Sequence, residues 1–116
     1  DVDGDADLDV VVGDNHGRVR LLMNVAPSQG SGVLISVLEA SGAPAIGALV
    51  TVTAGELSLT RPVQPAFSYC SSSDPRVHFG LGDYEGLIDL SVQWVDGSVS
   101  EEKGLTPGSE LSFKRR

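Results

Sequence analysis

Only one cysteine, Cys70, occurs among the 116 residues, so an internal disulfide is excluded. Cys70 reads either as a small buried apolar residue or as a free thiol, and burial is the favoured expectation because lone thiols usually sit in the core. Aromatic residues make up just 5% of the chain, and Lys and Arg together number 8 against 16 Asp and Glu. The formal net charge of -8 excludes a nucleic-acid partner, because phosphate backbones are held by clustered cations. The one basic cluster, Lys114-Arg115-Arg116, reads as a solvated end. No apolar run approaches the roughly 20 residues a membrane-crossing helix needs, so no membrane insertion is expected. No signal peptide is visible, and the first residue is Asp rather than Met, as expected of a processed product or a fragment.

Glycine, by contrast, is abundant at 14, with 6 prolines among many Val, Leu, Ser and Thr. That mixture favours short strands joined by tight turns. Val10-Val11-Val12, a β-branched run, reads as a strand. The Gly13-Asp14-Asn15-His16-Gly17 cluster then turns the chain, and residues 18–24 return as the second strand of a hairpin. Residues 26–32 are rich in Pro, Ser and Gly and read as a linker. Strand-like stretches recur at 33–39, 48–54, 57–60, 77–79, 87–94, 99–102 and 110–113. Asp96-Gly97 is a strong hairpin signal, since glycine accepts positive φ. With no helical period anywhere, an all-β fold follows.

The acids are concentrated at one place. Five of the first nine residues are aspartate, in the order Asp1-Val2-Asp3-Gly4-Asp5-Ala6-Asp7-Leu8-Asp9. Crowded like charges beside an apolar strand repel unless a cation neutralises them. Calcium takes six to eight hard oxygen ligands in flexible geometry, and a short loop with carboxylates on alternate residues can wrap them around one ion. Gly4 permits the sharp path. Asp1, Asp3, Asp5 and Asp9 are the candidate side-chain ligands, with Asp7 giving its backbone carbonyl. Magnesium keeps more of its own waters, and zinc wants His or Cys nearby. An EF-hand is excluded: its loop needs Gly at the sixth position and Glu at the twelfth, where Ala6 and Val12 stand.

The segment D-V-D-G-D-A-D-L-D-V-V-V resembles the calcium loop of FG-GAP/VCBS repeats, the blades of integrin-α-like β-propellers. In such repeats the loop binds calcium between two strands of a blade. A second set of motifs lies downstream. These are Ile46-Gly47-Ala48, Arg61-Pro62-Val63, Phe67-Ser68-Tyr69, His78-Phe79-Gly80-Leu81-Gly82, and Val92-Gln93-Trp94 with Asp96-Gly97. Together, over roughly residues 43–105, they resemble the ASPIC/UnbV domain, which follows such repeats in the cartilage acidic protein family and in many bacterial secreted proteins. Two positions depart from its pattern: no Asn precedes Ile46, and Val95 follows Trp94 where Pro is usual. The resemblance implies a partial FG-GAP/VCBS repeat at 1–25, a linker at 26–32, and an ASPIC/UnbV-like domain at 33–116. The implied architecture is the terminal hairpin of a β-propeller blade plus a small β-sandwich-like domain. It further implies a secreted or extracellular protein (periplasmic or cell-surface if bacterial). The expected role is adhesion, with a protein or carbohydrate ligand, and the remainder of an N-terminal propeller is an expected partner.

Catalysis is not expected. Ser71-Ser72-Ser73, Asp74 and His78 lie close in sequence, but no serine occupies a G-x-S-x-G elbow. His78 reads as a half-buried strand residue supporting the next turn, and His16 as a solvated turn residue. Gly80-Leu81-Gly82 reads as a turn between strands rather than a nucleotide loop, since no helix follows. Trp94 and Tyr84 are sugar-stacking candidates if exposed, though Trp94 on an apolar strand reads as core. The alternative function is a C-terminal accessory domain of a secreted or biosynthetic enzyme. A purely structural cap on a propeller end is a third reading.

Overall fold

A computed structural model of the chain describes residues 2–4, 7–26, 30–108 and 110–116. Nine strands form in them, with no helix. β1 (Val10–Val12) and β2 (Arg20–Leu22) make the antiparallel hairpin expected from the Val run, with Val11 opposite Leu21. The other seven are β3 (Ser31–Leu38), β4 (Leu49–Ala54), β5 (Leu57–Pro62), β6 (Val77–Gly82), β7 (Ile88–Gln93), β8 (Val99–Leu105) and β9 (Glu110–Lys114). They build a four-stranded sheet in the order β5-β4-β7-β8 and a three-stranded sheet in the order β6-β3-β9.

Alternation with period two drives the two sheets together. Val33, Ile35 and Val37 of β3, Val77, Phe79 and Leu81 of β6, and half-buried Leu111 and Phe113 of β9 turn inward from one sheet. Val50, Val52 and Ala54 of β4 and Ile88, Leu90 and Val92 of β7 meet them from the other. β6 packs over β4 and β5. Among the described residues no polar or charged residue is buried, so the core is wholly apolar. Each fully buried Val, Leu or Ile side chain contributes roughly 1.5–3 kcal/mol of transfer free energy.

β3 is the organising strand of its sheet, antiparallel to β6 and parallel to β9. It begins at Ser31, earlier than the apolar run alone suggests, because Ser31 pairs with Gly82 and Gly32 with Gly80. Leu81 is the extra residue of a bulge there, and it is buried. Gly80-Leu81-Gly82 is therefore the end of β6 and not the turn the sequence suggests. Local glycine content pointed one way, and pairing to a distant strand won.

All three residues of each hairpin strand are exposed. Val11 is 62% exposed and Val19 73%. Among the described residues the two strands pack on each other and on no other strand.

Candidate metal centre

Asp9 stands at the junction between the acidic loop and β1. Its Oδ2 accepts the backbone N–H of Val2 at 2.8 Å, and its Oδ1 accepts that of Asn24 at 2.8 Å. One carboxylate thus ties the start of the loop to the chain leaving β2. Asn24 continues the arrangement, its Oδ1 accepting the Ala26 N–H at 3.2 Å. The Asn24 N–H foremost, and the Val2 N–H with it, hold the Asp9 carboxyl below the usual carboxylate range. Asp9 is therefore ionised, and each of its oxygens keeps lone-pair capacity beyond the one N–H it accepts.

Gly4 adopts φ +79°, the left-handed bend that lets the loop double back toward Asp9. Asp3 is exposed, and Asp7 is half-buried like Asp9. Two of the five candidate ligands, Asp1 and Asp5, lie outside the described residues, so their positions carry no part of this description. Among the described residues no three His, Cys, Asp or Glu side chains gather into a metal-holding group. The candidate donors are all hard oxygens on a loop whose far end is already anchored, and that donor chemistry fits calcium better than a softer ion. Asp14 belongs to the hairpin turn instead, where its backbone carbonyl accepts the Gly17 N–H at 3.3 Å.

The motifs of the sandwich have structural roles. Gly47 takes φ +90° and donates its N–H to the Val63 carbonyl at 2.9 Å, and Val63 in turn donates to Ala48. Ile46-Gly47-Ala48 is thus a tight corner beside Val63, with Ala48 fully buried. Asp96-Gly97 closes the β7–β8 turn: Gly97 takes φ +85°, and the Asp96 Oδ1 accepts the Ser98 N–H at 3.0 Å and its hydroxyl at 2.6 Å. Trp94 is core, only 2% exposed, and its Nε1 donates to the Ser100 Oγ at 2.8 Å. Tyr84 is half-buried and gives its hydroxyl to the Leu87 carbonyl. His78 is half-buried in β6, as its sequence context suggests, and His16 is an exposed turn residue.

Two readings need correction. Cys70 is exposed, not buried, and takes φ +52° in the loop between β5 and β6. The rule for lone cysteines fails because Cys70 lies in a serine-rich connection outside the apolar alternation. Arg115 is no solvated end either. Its guanidinium lies 5.1 Å from the Trp94 ring centre and donates to Asp96, to Ser98 Oγ at 3.1 Å, and to Glu39 Oε2 at 3.5 Å. Nothing in the local sequence marks it, because its partners come from two other turns.

Asp74 is committed to Arg76, which donates to it from its backbone N–H at 2.9 Å, its Nε at 2.8 Å and its Nη2 at 2.6 Å. Arg76 also reaches Glu110 on β9 at 3.4 Å. The Asp74 carboxylate thus serves as half of an ion pair.

The sandwich, its Gly47 corner and its Trp94 turn coincide with a known domain: the ASPIC and UnbV family model matches residues 38–116. The chain belongs to the ASPIC and UnbV family. The matched span begins at the last residue of β3, yet the ASPIC/UnbV sandwich also uses Val33, Ile35 and Val37 from ahead of it. Domains of this family are accessory domains. No curated protein matches the chain.

Proposed function

We propose that the chain is a non-catalytic, extracytoplasmic binding or adhesion module whose opening loop is held by calcium. Asp1, Asp3, Asp5 and Asp9 serve as side-chain ligands and Asp7 as a backbone ligand. The observation that carries this reading is the Asp9 bridge. It fastens the start of the loop at Val2 and the chain leaving β2 at Asn24 to one carboxylate at the base of the hairpin, so an ion in the loop would stiffen the same hairpin. Bound there, calcium would offset the mutual repulsion of the acids and add coordination energy that the unfolded chain lacks.

The hairpin supports the second half of the proposal. A two-stranded ribbon is marginal in water by itself, and this one shows apolar side chains on both faces. Such a ribbon fits between further strands, as the terminal part of an FG-GAP/VCBS blade of an upstream propeller. In that arrangement the ASPIC/UnbV sandwich is displayed beyond the propeller and is free to take a protein or carbohydrate ligand.

Thermal melting in millimolar calcium and in EGTA tests the calcium reading. Calcium at about a hundred times its dissociation constant should stabilise the folded state by roughly 2.7 kcal/mol. Magnesium at equal concentration should do less. Identical midpoints in calcium and EGTA would count against it.

A further inference from the structure

Two sheets leave four edge strands: β5 and β8 in one, β6 and β9 in the other. Open edges template further pairing, and proteins blunt them with proline, bulges or runs of charge. β5 closes on Pro62, which has no N–H to offer. β6 carries the bulge at Leu81. β8 shifts register opposite Ile88 and Leu90 and bears Glu101-Glu102-Lys103 in succession. β9 has no proline, no glycine and an unbroken register with β3 from Glu110 to Lys114. A cleft of about 630 Å³ separates β8 from the second half of β9, lined by Trp94, Ser100, Glu102, Ser112, Phe113 and Lys114 among others. Among the described residues no strand pairs with the outer edge of β9, and Leu111 and Phe113 remain only half-buried beside it.

We propose that β9 is a pairing edge for a second copy of this chain, its two β9 strands lying antiparallel about Ser112. The strand is self-complementary in that register. Glu110 falls opposite Lys114 of the second copy, and Lys114 opposite its Glu110, on the outer face. Leu111 falls opposite Phe113 of the second copy on the core face. Opposite charges and apolar residues facing each other across neighbouring strands are the stabilising cross-strand pairs of a sheet. The alternatives are poorer. Parallel pairing in register sets Glu110 against Glu110 and Lys114 against Lys114. A one-residue slip sets Glu110 against Phe113 and turns each side chain toward the wrong neighbour. The favoured register has a two-fold axis through Ser112, so the contact closes as a dimer and does not propagate. Two three-stranded sheets become continuous, and the half-exposed faces of Leu111 and Phe113 are covered.

Sedimentation velocity on the full chain, from micromolar to several hundred micromolar, tests this. The wild-type chain should show a concentration-dependent dimer. Lys114→Glu makes both ends of β9 acidic and should weaken association by roughly tenfold or more. Glu110→Lys makes both ends basic and should do the same, while an equimolar mixture of the two variants should associate again. Glu110→Lys also loses the Arg76 contact, so a melt of each variant accompanies the measurement. Should that variant not fold, Lys114→Glu alone decides. A wild-type chain that stays monomeric throughout overturns the proposal. So does a Lys114→Glu chain that associates as tightly as the wild type, which would point to the apolar hairpin as the contact.

Discussion

Trp94 brings β8, β9 and the chain's last residues together at one place. It follows β7 directly, stacks on Phe113 of β9 at a centroid distance of 6.2 Å, and donates to Ser100 of β8. Arg115 covers its ring. Trp94→Ala should cost about 3–5 kcal/mol, read as a lower urea midpoint by circular dichroism. The Asp96–Arg115 pair beside it is expected to link stability to acid pH. The Ser98 side chain foremost, then Arg115 and the Ser98 N–H, hold the Asp96 carboxyl well below its ordinary range. Because the folded pKa is depressed, Asp96 contributes stability above the unfolded carboxylate value of about 3.9. That contribution is lost as pH falls from there toward the folded pKa. Asp96→Asn should therefore flatten the fall of melting temperature with pH below about 4, while lowering the midpoint at neutral pH. A variant whose acid limb parallels that of the wild-type chain would show that Asp96 has no part in it.

At the scale of elements, the corners decide more than the strands do. Alternation alone makes β4 and β7 into strands, but their placement depends on how the chain enters them. Gly47 admits the chain to β4 at φ +90°, with its N–H on Val63 and an added Cβ meeting Val95 Cγ2 at 3.2 Å. Gly47→Ala should destabilise by roughly 1–2 kcal/mol from the left-handed backbone alone, measurable by chemical denaturation. β8 shows a different solution. Its register shift leaves the Gly104 N–H to be capped by Asp89 Oδ1 at 2.9 Å, so the edge bends without an orphaned donor. The hairpin of β1 and β2 lacks such support from other strands, and the Asp9 bridge is the described contact that closes its base.

For the whole molecule, the ASPIC/UnbV sandwich is larger than the span that matches its family. β3 contributes Val33, Ile35 and Val37 to the core and is hydrogen-bonded on both sides, to β6 and β9. A chain beginning at Leu38 would leave β6 and β9 with no strand between them. It should show no cooperative melt, whereas a chain beginning at Gly30 should melt in a single transition. Cooperative melting of the shorter chain would mean that the three-stranded sheet is dispensable. The two ends of the molecule also differ in kind. The sandwich is closed around an apolar core, while the hairpin shows its apolar residues to solvent. This contrast is why an ion and further strands are proposed for the hairpin and not for the sandwich.

The residues alone determined the fold class, the hairpin and most strand positions, because side-chain alternation and turn chemistry are local. They also marked out the acidic loop, since charge density is visible without coordinates. Tertiary structure decided what depends on distant partners. β3 starts at Ser31 and β6 runs through Gly82 because those residues pair with each other across the chain. Arg115 becomes a structural cation because folding brings Asp96, Glu39 and Trp94 to it. Cys70 stays outside because its loop leaves the core, which no propensity of cysteine reveals. Periodicity can tell a strand which way to face, but only the folded sheet can tell it which strand to meet.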